Sequence, residues 1–414
     1  MGKQMLSGIE AQPFLNYGKQ SIDEDDIQAV VEVLKSTNLT QGPKVAEFEE
    51  ELCRYTGARF AVACNSGTSA LHMACLAAGV QQGDEVITSP ITFVASANCA
   101  AYCGARPVFA DIDPLTYNLS PSELEKKITN NTRVIIPVHF AGQSCDMVAI
   151  KQTKGDAEKR YNRKIYLIED ASHALGSLYK GSKVGSCTFS DMTVTSFHPV
   201  KHITTGEGGV VFTNDETLYC KLRKLRSHGI TNDQSEFLNH DLAFQPPQAG
   251  GSKMVNPWYY EQITLGYNYR ITDIQCALGL SQLKKLEMFK KRRREIVKTY
   301  NGGFRNLKHV KTPFETKDCD SNFHLYVLLF DFEEIGMDRA TFMTKLKGKG
   351  IQAQVHYIPV HLQPFYRKHF GTNRGDCPIA ENYYTKCLSI PLHPSLTDRH
   401  VERVIGEIKN LIGK

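Results

Sequence analysis

Two stretches decide the fold: Ile165–Ser177, IYLIEDASHALGS, and Met192–Thr213, MTVTSFHPVKHITTGEGGVVFT. The first begins with an apolar run, Ile165 to Ile168, and ends in Glu169 and Asp170. A short apolar run bounded by polar residues predicts a buried parallel strand with Asp170 at its carboxyl end. In the second, Met192, Val194, Ser196 and His198 alternate, which predicts another strand. The chain then turns at Pro199, presents Lys201, and enters a turn with Gly206, Gly208 and Gly209.

A carboxylate ending one strand and a lysine just past the next are the two groups that pyridoxal phosphate (PLP) chemistry requires. The amine forms a Schiff base with the cofactor aldehyde, and the carboxylate keeps the pyridine nitrogen protonated. Taken singly, a lysine after a strand also reads as a solvated surface group, and an aspartate at a strand end as a helix cap.

Composition sets the frame. A chain of 414 residues with 41% hydrophobic and 22% charged residues can bury two substantial cores. The net charge of +5 is too small to argue for nucleic acid. There are 12 cysteines and no C-x-x-C pair, so no zinc ligand set is expected. Scattered single thiols fit a reducing cytoplasm. No apolar stretch reaches membrane length, and Met1–Tyr17 lacks the apolar core of a signal peptide.

Elsewhere, strands alternate with helices. Phe60–Cys64, Glu85–Pro90, Pro107–Ala110 and Val134–Val138 read as strands. Ala70–Ala78, Val94–Tyr102 and Pro121–Ile128 read as helices between them. That alternation predicts a doubly wound, mainly parallel sheet. Phe60–Cys64 runs into Asn65-Ser66-Gly67-Thr68-Ser69, a small-residue turn opening a helix, which is either an anion cup or an ordinary cap. His139, after a strand, either faces a site or ends the strand. Ser21 with Glu24 forms a capping-box pattern, and Ile27, Val30, Val31 and Leu34 form a helical stripe behind it. Val45, Phe48, Leu52 and Tyr55 give the next buried face. The basic run KKRRR at 290–294 reads as a solvated helix face. A small mixed domain follows, with strands at Phe323–Phe330 and Ile351–Tyr357 and helices at Arg339–Lys349 and Arg399–Leu411. The segment Ile230–Glu261 is rich in Asn, Gln, Pro and Gly, and a loop of that length is expected to have a function.

The motifs SFHPVKHITTGEGG and EDASHALGS resemble the DegT/DnrJ/EryC1/StrS sugar nucleotide aminotransferases, above all the branch making pseudaminic acid precursors. The resemblance runs from about Gln41 to the C-terminus. It implies fold type I of the PLP-dependent transferases, like aspartate aminotransferase: a large α/β domain with a seven-stranded, mainly parallel sheet and a small C-terminal α+β domain. The expected boundaries are 1–22 for an N-terminal arm, 23–280 for the large domain and 281–414 for the small one. It implies Lys201 and Asp170 as catalytic residues. Thr68, Ser69 and Ser196 would hold the cofactor phosphate, Phe93 would stack on the ring, and His173 would meet the ring hydroxyl. Asn268 would cross a homodimer interface to the partner's phosphate. Thr40, Gln41, His356 and Tyr357 become candidate substrate contacts. Without the resemblance, Phe93 reads as core, and His356 and Tyr357 as half-buried strand. The implied cofactor is PLP, with pyridoxamine phosphate as its aminated form. The implied partners are a nucleotide sugar, L-glutamate and 2-oxoglutarate, and a second copy of the chain. The 230–261 loop is expected to fold over the nucleotide site of its own or a neighbouring subunit. Related sugar 3-dehydratases carry histidine in place of the lysine. Here Lys201 is present and His202 follows it, so transamination is implied, with dehydration or a non-catalytic PLP protein as the alternatives.

Overall fold

The structure, a computed structural model, describes residues 13–245 and 254–413. Its centre is a seven-stranded sheet built from β1 (Phe60–Cys64), β2 (Glu85–Thr88), β3 (Arg106–Phe109), β4 (Thr132–Ile136), β5 (Tyr166–Asp170), β6 (Met192–Ser196) and β7 (Gly209–Thr213), in spatial order β1-β7-β6-β5-β4-β2-β3. All neighbours pair in parallel except around β7, which runs antiparallel to both β1 and β6. This is the mainly parallel α/β sheet of fold type I. The alternation read in Met192–Ser196 does not mark a half-wet strand: Met192 through Thr195 are all buried. Helices cover both faces of a parallel sheet, so inward and outward side chains alike are buried.

Helix α1 (Glu24–Leu34) packs on α5 (Asp273–Leu283), and α2 (Pro43–Thr56) lies beside them. The cap of α1 differs from the expected Ser21–Glu24 box. Asp23 is the N-cap, and its box partner is Asp26. The apolar stripe is also displaced. Ile27 and Leu34 are 49% and 55% exposed, while Asp26 is buried. A polar cluster sets the rotation of the helix: Asp26 accepts from Gln282 Nε2 at 2.7 Å and pairs with Lys285 at 3.0 Å. Behind β1, Phe48 and Leu52 of α2 are fully buried, as expected.

Two further helices shape the site, α3 (Gly67–Ala77) and α4 (Ala95–Tyr102). The turn between β1 and α3 passes so close to β6 and β7 that no side chain fits. A Cβ on Gly209 would lie 2.5 Å from the Ser66 carbonyl oxygen and 2.7 Å from the Gly67 nitrogen. Gly209→Ala is therefore expected to cost about 1–3 kcal/mol, the range for overpacking a close-packed interior, in urea unfolding of the cofactor-free protein. Unchanged stability would show that the turn can give way.

Helix α6 (Leu286–Phe304) carries the chain to a second core. There Ile296, Tyr300 and Phe304 pack with β8 (Val310–Lys311), β9 (Tyr326–Phe330), β10 (Cys387–Ile390), α7 (Arg339–Gly348) and α8 (Asp398–Leu411). The basic run on α6 is not a solvated face. Arg293 is 1% exposed and Lys290 is 8% exposed. Lys290 donates to the Gly176 carbonyl at 2.9 Å and to Asp320 at 2.7 Å, and Arg294 donates to Glu315 at 2.8 Å. The run joins the two cores through carbonyls and carboxylates distant in sequence, which no local pattern reports. Nor is Ile351–Tyr357 a continuous strand. It makes single bridges, Ile351 to Leu15 and Gln354 to Ser389. The arm, from residue 13 on, lies against this segment: Leu15 donates to the Gly350 carbonyl and accepts from Gln352, each at 2.8 Å.

Candidate active site

In a parallel sheet the carboxyl ends of the strands share one edge, and ligands bind in the crevice beyond it. A cavity of about 590 Å³ lies at that edge. Asp170, the last residue of β5, and Lys201, beyond β6, both border it. So do Ser66, Gly67 and Thr68 at the start of α3, Phe93 and Ser96 around the start of α4, and His173 and Ser196. Tyr17 of the arm and Gln354–Tyr357 of the second core form the far wall.

Asp170 is 4% exposed. Its Oδ2 accepts from the Ser96 hydroxyl at 2.6 Å and its Oδ1 from the Ser172 N–H at 3.1 Å. The two donors hold the carboxylate in one orientation. Burial pushes Lys201 down to about 8, against the opposing pull of the Asp170 charge. A lysine near 8 is half neutral in mildly alkaline solution, and only the neutral amine is a nucleophile. Capture of added PLP by the cofactor-free protein, trapped with borohydride, is therefore expected to rise with pH through about 8 and level off above it. A midpoint near the ordinary lysine value of about 10.4 would contradict a desolvated amine.

His173 is buried, and burial together with the Lys201 charge holds it well below the ordinary histidine value. Its Nδ1 accepts from the Ala141 N–H at 3.3 Å, so the hydrogen-bond network assigns the proton to Nε2, 3.2 Å from the Tyr357 hydroxyl oxygen. His139 stands on another side of the sheet, donating from Nε2 to Glu169 at 2.6 Å, and does not border the cavity.

Ser66 caps α3. Its hydroxyl accepts from the Ser69 N–H at 3.1 Å, and its carbonyl accepts from Ala70 at 3.1 Å. The first turn of a helix has four N–H groups without helical partners, so those of Gly67 and Thr68 remain for an anion in the cavity. The Ser196 hydroxyl lies beside Gly67, 3.2 Å from where a Cβ would be. Ser69 is turned elsewhere: its hydroxyl donates to Asn65 Oδ1 at 2.7 Å and it does not border the cavity. The third position of a capped helix points its side chain back toward the cap rather than past it.

Phe93 is 60% exposed although it lies in a cavity. Its uncovered face suits a flat heterocycle. His356 is buried, with Nδ1 2.7 Å from the Ser389 hydroxyl. Thr40, Gln41 and Asn268 do not border the cavity of a single chain. Thr40 bridges to Thr272, Gln41 takes a left-handed φ of 57°, and Asn268 is exposed, bridging to Ser227. Sequence reasoning missed Ser96 and Tyr17 as lining residues, and within the Asn65–Ser69 turn it singled out the hydroxyls of Thr68 and Ser69 rather than Ser66 and Gly67. Ser96 was findable, since it lies one helical turn after Phe93 and so shares its face; nothing in the sequence marks Tyr17.

The site thus offers an anion cup, an aromatic face, an oriented carboxylate and a desolvated amine around one cavity. That donor set fits a phosphorylated pyridine aldehyde. The family model for the DegT/DnrJ/EryC1/StrS aminotransferase family matches residues 20–409. The chain is 42% identical to the spore coat polysaccharide biosynthesis protein SpsC of Bacillus subtilis, over 96% of this chain and 97% of that one. It is 39% identical to a UDP-4-amino-4,6-dideoxy-N-acetyl-beta-L-altrosamine transaminase of Campylobacter jejuni, over 97% and 98%. Among solved structures, Helicobacter pylori PseC, an aminotransferase of pseudaminic acid biosynthesis, superposes with a TM-score of 0.84 at 33% identity, covering 96% of this chain and 99% of that one. A sugar aminotransferase from Streptococcus pneumoniae, described as putative in its PLP and PMP forms, gives 0.84 at 32%, covering 96% and 98%. The chain belongs to the DegT/DnrJ/EryC1/StrS aminotransferase family, whose members are pyridoxal phosphate-dependent sugar aminotransferases of fold type I.

Proposed function

We propose that the chain is a 4-aminotransferase for a nucleotide-linked 4-keto-6-deoxy sugar, namely UDP-2-acetamido-2,6-dideoxy-β-L-arabino-hex-4-ulose, with L-glutamate as amino donor. The observation that carries the transamination is the meeting of Lys201 and Asp170 on one cavity whose floor is a helix N-terminus. The sugar is supported by the likeness to the Campylobacter transaminase and to PseC. The comparable likeness to SpsC makes another 4-keto sugar the alternative.

In this reading the Gly67 and Thr68 N–H groups, with the Thr68 and Ser196 hydroxyls, bind the phosphate. Phe93 covers one face of the ring and excludes water from it. His173 donates to the ring hydroxyl. The bound cofactor supplies a carbonyl that accepts an amino group and a ring that delocalises negative charge. Asp170 holds the proton on the ring nitrogen. Lys201 Nζ would take a proton from the donor carbon and return it on the far side of the transferred nitrogen, a task suited to an amine titrating near pH 8. Glutamate would leave as 2-oxoglutarate as water enters, its nitrogen kept by the cofactor's aminated form, and Lys201, moving the proton in reverse, would serve the passage of that nitrogen to the keto sugar, whose oxygen leaves as water. His356 and Tyr357 meet the sugar.

We infer a homodimer in which Asn268, Thr40 and Gln41 serve the partner's cavity, since all three lie on the surface away from their own. The 230–261 segment includes residues 246–253, outside the described ones, and Trp258 within it is 73% exposed. We assign its described parts, 230–245 and 254–261, to the nucleotide side of the site of their own or a neighbouring subunit. All twelve cysteines are free thiols, which supports work in the cytoplasm. Among the described residues no helix is long and apolar enough to cross a membrane.

The test is the visible spectrum of the purified protein before and after glutamate, followed by a screen of UDP- and dTDP-linked 4-keto sugars. A glutamate-dependent loss of the cofactor's visible band and turnover of the named sugar are expected. A spectrum that glutamate leaves unchanged would refute transamination, and turnover of only a different 4-keto sugar would refute the substrate.

A further inference from the structure

Behind Lys201, away from the large cavity, lies a second and much smaller space of about 10 Å³. Lys201, His202, Thr204, Gln282 and Arg293 border it, and residues 19–21 of the arm close it. Two of these side chains are buried and incompletely bonded.

Arg293 is 1% exposed and faces no carboxylate within salt-bridge distance among the described residues. Its Nη1 donates to the carbonyls of Phe323, His324 and Leu392 at 3.3, 3.1 and 2.9 Å. Its Nε–H has no partner among the described residues. His202 is 4% exposed. Its Nε2 lies 3.3 Å from the His173 carbonyl oxygen, which can only accept, so the proton is on Nε2. That leaves Nδ1 as a bare acceptor, also without a partner among the described residues. Burial and the nearby Arg293 charge hold the ring well below the ordinary histidine value, so it stays neutral. One buried donor and one buried acceptor, each unmatched, therefore belong to two residues that border the same small space.

An unmatched buried polar atom costs about 1–3 kcal/mol, so such atoms are nearly always bonded. About 10 Å³ is the smallest space that holds one water, and a buried water needs two to four polar partners. We propose that a single structural water bridges Arg293 Nε–H to His202 Nδ1, and that His202 is thereby a positioning residue for Lys201. The chain of contacts is short. The water receives a hydrogen bond from Arg293 and donates one to His202 Nδ1. His202 Nε2–H holds the His173 main chain. His202 is covalently next to Lys201, so the segment bearing the amine is fixed to the segment bearing His173. This also accounts for the Lys-His pair. The histidine that could have pointed to dehydration is turned away from the large cavity and supports the lysine from behind.

The water and the tautomer stand independently of the substrate, and only the kinetic part rests on the role given to Lys201. A crystal structure of the wild-type holoenzyme at water-resolving quality is expected to show one peak within about 3 Å of both Arg293 Nε and His202 Nδ1. A dry space, or Arg293 Nε bonded directly to a protein carbonyl, would overturn the proposal. In solution, borohydride-trappable capture of PLP by cofactor-free His202→Ala is expected to slow about 10-fold. Its kcat should fall about 10- to 100-fold, with the glutamate KM within about 3-fold, because a misplaced reacting group costs rate rather than binding. His202→Gln keeps a donor near the Nε2 position and is expected to recover both to within about 3-fold of wild type. Equal impairment of the two variants, or a His202→Ala protein as fast as wild type, would sink the positioning role. Should the alanine variant fail to fold, the wild-type electron density and the glutamine variant still decide the matter.

Discussion

Replacing Lys201 by alanine is expected to lower transamination by at least about 10⁴-fold, because in the proposed mechanism one amine both captures the cofactor and moves the proton, and proton transfer alone contributes about 10²–10⁴. The variant should still fold, since Lys201 makes no side-chain hydrogen bond or ion pair among the described residues and stands at the edge of a cavity. It should also still bind PLP without a covalent link, through the α3 N-terminus and Phe93. Borohydride followed by mass spectrometry is therefore expected to show a stable cofactor adduct on the wild-type protein and none on the variant. The removed charge has a second consequence. His173, His202, His324 and His356 are each pushed down by burial first and by the Lys201 charge among the further causes. Without that charge their values should move up, the sign expected on losing a nearby cation. Retention of more than about 1% of wild-type transamination would show that another group moves the proton, which the effective replacement of a general base does not allow.

How much of this could be read in the chain depends on the range over which each signal acts. The strands and the βα alternation were legible because they are local: Phe60–Cys64 and Ile165–Asp170 announce themselves by apolar runs of strand length. That Lys201 and Asp170 border one cavity was legible because Asp170 ends one strand and Lys201 follows the next, and parallel strands bring their carboxyl ends together. The turn at Asn65–Ser69 was legible as a helix start, but the seat of its hydroxyls was not. Capping sends Ser69 toward Asn65 and leaves backbone N–H groups, not that side chain, facing the cavity. The errors share a cause. The 290–294 run reads as solvated by composition, yet its partners are carbonyls and carboxylates such as Gly176 and Asp320, far away in sequence. The rotation of α1 is set by Asp26 meeting Gln282, again across the chain, so the apolar stripe that periodicity favours turns outward. Thr40, Gln41 and Asn268 lie off the cavity of their own chain, and only the proposed dimer would bring them to a partner's.

Asp170→Asn is the second large loss. Asparagine is nearly isosteric, so it can keep the Ser172 N–H bond to its carbonyl oxygen, but it cannot carry the charge that stabilises a proton on a ring nitrogen. Breaking a buried charge pair by removing one partner costs about 3–5 kcal/mol. At about 1.4 kcal/mol per factor of ten, kcat is expected to fall about 100- to 3,000-fold, with the change in PLP affinity much smaller. Ser96→Ala separates orientation from charge. It leaves the carboxylate ionisable and removes the 2.6 Å bond to Oδ2, together with the hydroxyl's 2.7 Å contact with the Thr92 hydroxyl and its 3.4 Å bond to the Phe93 carbonyl. One hydrogen bond to a charged group contributes about 1.5–3 kcal/mol, so a loss of about 10- to 100-fold follows. The pair of variants carries the argument together. Where Ser96 serves the reaction through Asp170, the double variant Asp170→Asn, Ser96→Ala is expected to be about as slow as Asp170→Asn alone. Multiplying losses in the double variant would mean that Ser96 serves the reaction by a separate route and that the carboxylate at the end of β5 does not depend on it.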